Sequence, residues 1–92
     1  MFLHLGNNVS VFKKNVIAIL DIENSSTSKI TKEYLSNAGR SGWVITCSYD
    51  MPKSFVITLD ENFSERVYIS SISAGTLKKR FEMLEGDFEI IV

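Results

Sequence analysis

Histidine and cysteine, which commonly supply a catalytic base and a nucleophile, occur once each in this 92-residue chain. A cysteine nucleophile needs a neighbouring base to take its proton. Cys47 lies in the apolar segment WVITCS, where a cysteine usually packs as a small hydrophobic side chain. His4 lies between two leucines of a short apolar run. We therefore expect Cys47 to be structural and His4 to be a structural or surface residue, and we expect no catalytic residue and no enzymatic activity.

Paired acidic residues are the other candidates for a metal or acid–base site. Asp21 and Glu23 stand two apart at the end of an apolar run, and Asp60 and Glu61 are adjacent in a polar segment. Two carboxylates can hold Mg²⁺, whereas zinc needs about four ligands. Such pairs are more typical of a solvated surface, and the segment GRSG at 39–42 lacks the phosphate-loop pattern. We expect no metal, no cofactor and no small-molecule substrate.

Basic residues gather in three short clusters, namely Lys13 and Lys14, then Lys53, then Lys78, Lys79 and Arg80. Lysine and arginine bind DNA phosphates and release counterions, which provides most of the affinity of such contacts. Three clusters on one protomer would bind weakly, but repetition around an oligomer would make one multivalent surface. These six residues are candidate contacts to double-stranded DNA; the alternative, which the residues alone favour, is a basic face that contacts only solvent.

Length and charge narrow the class of protein further. The net charge is −1, yet residues 82–92 hold four acidic residues and no base, so residues 1–81 carry ten Lys and Arg against seven Asp and Glu. The size predicts one domain over 1–92, with 86–92 as a C-terminal extension. A single cysteine, no signal-like start and no apolar run of roughly 20 residues predict a cytoplasmic protein, associated with the nucleoid if it binds DNA.

Three strands are predicted in the first part of the chain, at 2–5, 9–12 and 16–22. The segment GNN at 6–8 separates the first two, because glycine and asparagine accept the positive φ of a tight turn. The segment VIAIL at 16–20 is apolar on both faces, which is typical of a central strand covered on both sides.

A helix is predicted next over about 29–38, where apolar residues recur at steps of three and four. Thr27 or Ser28 is its predicted N-cap and Gly39 its C-terminal stop. A strand at 43–48 follows.

An antiparallel hairpin is predicted from strands at 54–59 and 66–70. A second helix is expected over about 74–84, with Ser73 as N-cap and Gly86 as the stop. The apolar residues 88–92 then form a short strand that adds to a sheet edge in the same chain or in a neighbour.

Together these elements predict an α+β fold, with a bent, mostly antiparallel sheet of five or six strands and two helices. A domain of this size buries only about 60–65% of the surface of its unfolded chain, so oligomerisation is a common means of burying more. Since 45% of the residues are hydrophobic and the chain ends in an apolar segment predicted as a strand, we expect a homo-oligomer.

Three segments resemble, in the same order, the bacterial extracellular-matrix regulatory protein family RemA/RemB. They are FLHLG through VIAIL at 2–20, PKSFVIT at 52–58, and ISSIS into TLKKR at 69–80. The resemblance covers most of residues 2–81 and is closer to RemB, the YaaB type. It implies a DNA-binding regulator of matrix and biofilm genes that contacts DNA through basic residues around a ring.

The resemblance also implies which positions of the chain hold those basic residues. RemA has an arginine just before its second conserved strand, a position that falls on or beside Lys14 and Asn15 here, so Lys14 takes its place. RemA has an arginine pair before the strand that matches 54–59, where this chain has Met51 and Pro52 followed by Lys53. The leading hypothesis is a non-enzymatic, DNA-binding transcriptional regulator. The alternative is an oligomeric protein-interaction or scaffolding module that does not bind DNA.

Overall fold

The computed structural model describes residues 1–22, 29–40, 42–48 and 50–91. The elements in these ranges are β1 (Phe2–Gly6), β2 (Val9–Phe12), a single 3₁₀ turn (Lys13–Asn15), β3 (Val16–Asp21), α1 (Lys29–Arg40), β4 (Val44–Thr46), β5 (Ser54–Leu59), β6 (Glu65–Ser70) and α2 (Ala74–Ile91). The predicted α+β class is confirmed. The predicted N-caps Thr27 and Ser28 lie outside the described residues.

Strands β1 and β2 form a tight antiparallel hairpin. Gly6, Asn7 and Asn8 all have positive φ, at 115°, 47° and 66°, as the sequence predicted for this turn. Alternation along β1 buries Leu3 and Leu5 beneath the hairpin. The opposite face carries exposed aromatic rings. The hairpin packs on the core by its apolar face. It forms a two-stranded sheet of its own.

The other four strands form one sheet in the order β3-β5-β6-β4. β5 pairs antiparallel with both β3 and β6, which confirms the predicted hairpin, but β4 runs parallel to β6. Three of the four strand pairings are thus antiparallel, as predicted, but the expectation of a single sheet was wrong. The β1–β2 hairpin stacks by its apolar face rather than extending the larger sheet, in which β4 forms the edge beyond β6.

Strand β3 lies at an edge of the four-stranded sheet, so the prediction of a central strand was wrong. Its apolar residues are only partly covered, and the side chain of Ile17 is 58% exposed. Helix α2 packs against β3, while the outer edge has no neighbour among the described strands. The apolar residues of this strand are therefore covered in part by α2 and in part exposed, as Ile17 is.

The main core joins the hairpin, the sheet and α2 through Leu3, Leu5, Val56 and Leu77, each at most 1% exposed. Two fully buried serines, Ser54 and Ser70, face each other on β5 and β6. They belong to the segments that carry the RemB resemblance, and each fixes a neighbouring backbone group.

Ser70 Oγ donates a hydrogen bond of 2.7 Å to the carbonyl of Leu5, and it accepts one of 3.1 Å from the N–H of Ile72. Ser54 Oγ donates to the carbonyl of Ile72 at 2.8 Å. The hydroxyl groups of these two serines therefore provide hydrogen-bond partners for backbone groups of Leu5 and Ile72.

Helix α2 begins as predicted, because Ser73 Oγ accepts a hydrogen bond of 3.2 Å from the N–H of Thr76 and so caps the first turn. Its end differs from the prediction. The helix continues through Gly86 to Ile91, and the strand expected at 88–92 is absent from 88–91. A glycine inside a helix costs about 1 kcal/mol relative to alanine, which does not end a helix whose neighbours favour it.

Helix α1 similarly includes Gly39 and ends at Arg40, and the left-handed glycine beyond it is Gly42, with φ of 74°. β4 covers only 44–46 of the predicted 43–48, although the N–H of Cys47 still donates to the carbonyl of Ile69 at 2.9 Å. In the described part of the chain, no helix is both long and apolar enough to cross a bilayer.

Candidate nucleic-acid interface

Lys13 and Lys14 lie in the 3₁₀ turn that joins β2 to β3. The turn is fixed by a hydrogen bond of 2.9 Å from the N–H of Lys13 to the carbonyl of Met1. Lys13 is half-buried, whereas Lys14 is exposed. Two adjacent lysines in one turn place two positive charges at the same corner of the molecule.

Helix α2 reaches the same corner. It packs on β1 and β3 through an inward stripe that contains Ala74, Leu77 and Phe81. The ammonium of Lys13 lies 4.8 Å from the centre of the Phe81 ring, a distance at which cation–π attraction operates. The fold thus brings the first basic cluster beside the helix that carries the third.

The third cluster comprises the exposed residues Lys78, Lys79 and Arg80. Helical spacing of 100° per residue points Lys79 away from Leu77 and the core, and places Lys78 and Arg80 on the two flanks of the inward stripe. These charges lie on exposed parts of α2 in the turn of helix before Phe81, which contacts Lys13.

Lys53 is separated from Lys14 by the length of the β3–β5 pair. It precedes β5, where Ser54 pairs with Asp21, while the lysine turn precedes β3, where Val16 pairs with Thr58. The five residue steps along β3 from Val16 to Asp21 span roughly 16 Å. The backbone of Lys53 is bonded to both sides, since its N–H donates to the carbonyl of Ser70 at 2.8 Å and its carbonyl accepts from the N–H of Ile22 at 3.2 Å.

The exposed side chain of Lys53 borders a small cleft together with Ser73, which caps the start of α2. About 12 Å of helix separate Ser73 from Phe81. Lys53 therefore stands near the start of α2 and Lys13 near the middle of that helix, with Lys78–Arg80 between these two points along the helix. The structure brings two of the three predicted clusters together and leaves Lys53 apart.

Sequence reasoning identified the acidic residues at 60–61 but missed that they lie beside the lysine turn. Lys14 Nζ forms an ion pair and hydrogen bond of 2.7 Å with Glu61 Oε1, and the two side chains are 64% and 79% exposed. The hydrogen bond from Lys14, with its charge, lowers the pKa of Glu61 below its ordinary value. The partners are 47 residues apart, so only the acidic composition of 60–61 signalled that such a pair was available.

Asp60 shapes the turn that carries Glu61. Its Oδ1 accepts hydrogen bonds from the N–H groups of Asn62, at 2.8 Å, and Ser64, at 2.9 Å. Phe63 in the same turn has a positive φ of 61° and is 83% exposed. The turn thus holds Glu61 beside Lys14 by backbone geometry as well as by charge.

The candidate catalytic residues are not brought together. Cys47 is 3% exposed and packs in the core with Leu3 and Leu5, whereas His4 points to the opposite, exposed face of β1, with Nδ1 3.4 Å from Ser10 Oγ. Burial raises the pKa of the Cys47 thiol. Among the described residues no three His, Cys, Asp or Glu side chains are grouped to bind a metal, and Glu23 lies outside these residues.

A family model for extracellular matrix regulatory protein A-like proteins matches residues 2–81. The chain belongs to the RemA-like family. In this RemA-like chain the match includes all six described strands, the lysine turn and α2 as far as Phe81. No curated protein matches the chain. The RemA-like name associates the family with regulation of the extracellular matrix.

Proposed function

We propose that this protein is a non-enzymatic, DNA-binding transcriptional regulator of extracellular-matrix and biofilm genes that acts in the cytoplasm as a homo-oligomer. The observation that carries the proposal is the contact of Lys13 with Phe81, which joins the lysine turn to the basic helix α2 at one corner of a RemA-like fold. Within the family, the segments PKSFVIT and TLKKR favour the RemB branch.

Phosphate groups are the proposed targets of Lys13, Lys14, Lys78, Lys79 and Arg80, with Lys53 as a separate contact at the other end of the sheet. Lysine is a compact point charge that binds phosphate without the two-bond geometry that arginine uses to read guanine. These basic side chains therefore position the duplex, and DNA shape supplies the sequence preference.

Self-association would combine the basic clusters of several protomers and so strengthen their binding to DNA. The edge strand β3 presents Ile17, and the outer face of the β1–β2 hairpin presents Phe2 and Phe12, whose rings stack at 4.6 Å. An exposed strand edge and adjacent apolar side chains are features that favour pairing with another copy. In a ring, each protomer would add its lysine turn to one continuous surface.

Fluorescence anisotropy with a promoter-length duplex tests DNA binding directly. We expect affinity to fall steeply between about 50 and 200 mM salt, by about 10³-fold if six phosphates are neutralised. Changing both Lys13 and Lys14 to Glu should weaken binding to every duplex alike, since phosphates are common to all sequences. A loss restricted to one duplex would contradict phosphate-led binding.

Arg40→Glu provides the matched control for Lys14→Glu, because Arg40 is also exposed and lies at the end of α1, outside the three clusters. Both substitutions change the net charge equally. We expect Lys14→Glu to weaken DNA binding more than Arg40→Glu does. Equal losses would show that only the overall charge matters and would contradict the proposed interface.

A protein-interaction or scaffolding ring is the second candidate function. It is favoured by the net charge of −1 and by the Lys14–Glu61 pair, which partly neutralises the lysine turn. This alternative predicts a stable oligomer by light scattering and no DNA binding even at low salt. A monomer at micromolar concentration would contradict both candidates.

A further inference from the structure

A groove with a volume of about 550 Å³ lies between the lysine turn and α2. Its walls are largely apolar, and its lining residues are Met1, Phe12, Lys13, Lys14, Val16 and Phe81. Sites for small molecules in proteins typically have volumes of about 300–1,000 Å³ and combine apolar walls with a few polar groups. The groove therefore has the size and composition of a ligand site.

The two lysines at this groove differ in whether an acidic side chain pairs with them. Lys14 already has a carboxylate partner in Glu61. Lys13 is half-buried, lies over the Phe81 ring and forms no ion pair with any residue that the structure describes. A positive charge beside apolar walls is best satisfied by an anion whose remaining atoms are themselves apolar, because such a ligand covers the walls while pairing with the ammonium.

We propose that this groove binds a small organic anion with an apolar body, of the class of medium-chain carboxylates. The carboxylate would pair with Lys13 Nζ, and the hydrocarbon chain would lie against Phe12, Val16 and Phe81. The proposal goes beyond DNA binding and does not depend on it, since the ligand would bind one protomer directly. If the lysine turn also contacts DNA, the anion would compete with phosphate and act as an effector.

Calorimetric titration of the full chain with octanoate, 1-octanol and acetate tests the two halves of the proposed chemistry. Octanol has the apolar body without the charge, and acetate has the charge with almost no body. We expect octanoate to bind at least about tenfold more tightly than either, because a charge-assisted hydrogen bond and chain burial both contribute. Equal affinity for octanoate and octanol, or no binding of octanoate, would overturn the proposal.

Substitutions locate the ligand. Lys13→Gln should weaken octanoate binding about tenfold, whereas the matched loss of charge in Arg40→Gln should change it less than about twofold. If Lys13→Gln does not fold, Phe12→Ala removes an exposed wall of the same groove and should weaken binding of octanoate. Unchanged binding in the folded Lys13 variant or in Phe12→Ala would refute the site.

Light scattering of the same variants identifies a competing occupant. If octanoate does not bind and Phe12→Ala dissociates an oligomer, a second copy of the chain covers the groove and the ligand proposal is wrong. Octanoate binding that leaves the assembly unchanged would support the ligand site. Because these measurements contain no DNA, their outcome is independent of whether the protein binds DNA.

Discussion

Replacing Ser70 with alanine should destabilise the fold strongly, although Ser70 is a small residue. The side chain is fully buried, and its hydroxyl connects three parts of the chain. It donates to the carbonyl of Leu5 in β1 at 2.7 Å and accepts from the N–H of Ile72, just beyond β6, at 3.1 Å. Ser70→Ala leaves both backbone groups without this partner.

A buried polar group that loses its hydrogen bond costs about 1–3 kcal/mol. Leu5 is fully buried and Ile72 only half-buried, so water can compensate part of the second loss. The combined effect of Ser70→Ala should be about 2–4 kcal/mol of unfolding free energy. In a chain of 92 residues, each kcal/mol lowers the Tm by roughly 4–8 °C, so the expected fall is roughly 8–32 °C.

Circular dichroism during heating measures this change, with all variants at one protomer concentration because association shifts apparent stability. The matched control is Ser10→Ala, since Ser10 is exposed on β2 and makes only a 3.4 Å contact with His4. That control should change the unfolding free energy by less than about 0.5 kcal/mol. A Tm of Ser70→Ala within about 3 °C of the unsubstituted protein would refute the reasoning.

Three further predictions follow from the charged and buried groups. Glu61→Gln should strengthen DNA binding at low salt, because it frees Lys14 from its 2.7 Å ion pair; anisotropy that shows equal or weaker binding would contradict this. Burial, and then the 2.5 Å hydrogen bond and the charge of Glu65, raise the pKa of Tyr34 from 10.0 to about 12. Stability from this group is therefore complete below pH 10 and is lost as the pH rises towards 12. Denaturant melts should show that loss between pH 10 and 12, and Tyr34→Phe should reduce it; an unchanged slope in Tyr34→Phe would contradict the assignment. Cys47, at 3% exposure and with a pKa raised by burial, should react with a thiol reagent far more slowly in the folded protein than in denaturant, and equal rates would contradict its burial.

Much of the local structure was predictable from sequence. The turn at Gly6–Asn8 follows from residue types that accept positive φ, and the N-cap Ser73 follows from a hydroxyl placed before an apolar stripe. The β5–β6 hairpin was equally clear, because its two segments are close in the chain and separated by a polar turn. Helix ends were less predictable, since Gly39 and Gly86 lie within helices whose other residues sustain them.

The basic clusters themselves were visible in the sequence, but their arrangement was not. Nothing in the order of residues indicated that Lys13 would lie over Phe81, that Lys14 would pair with Glu61, or that Lys53 would stand apart. Each of these facts depends on which elements pack together across long stretches of chain.

The sequence by itself determined the types of element, the tight turns and the identity of the basic residues, because backbone preference and apolar period act within a few residues. Only the tertiary structure decided that β3 is an edge strand, that β4 runs parallel to β6, and that the β1–β2 hairpin stacks as a separate sheet. These choices depend on burial shared between distant segments. A strand such as β3 with apolar residues on both faces is compatible with either a covered centre or an exposed edge until its neighbours are known.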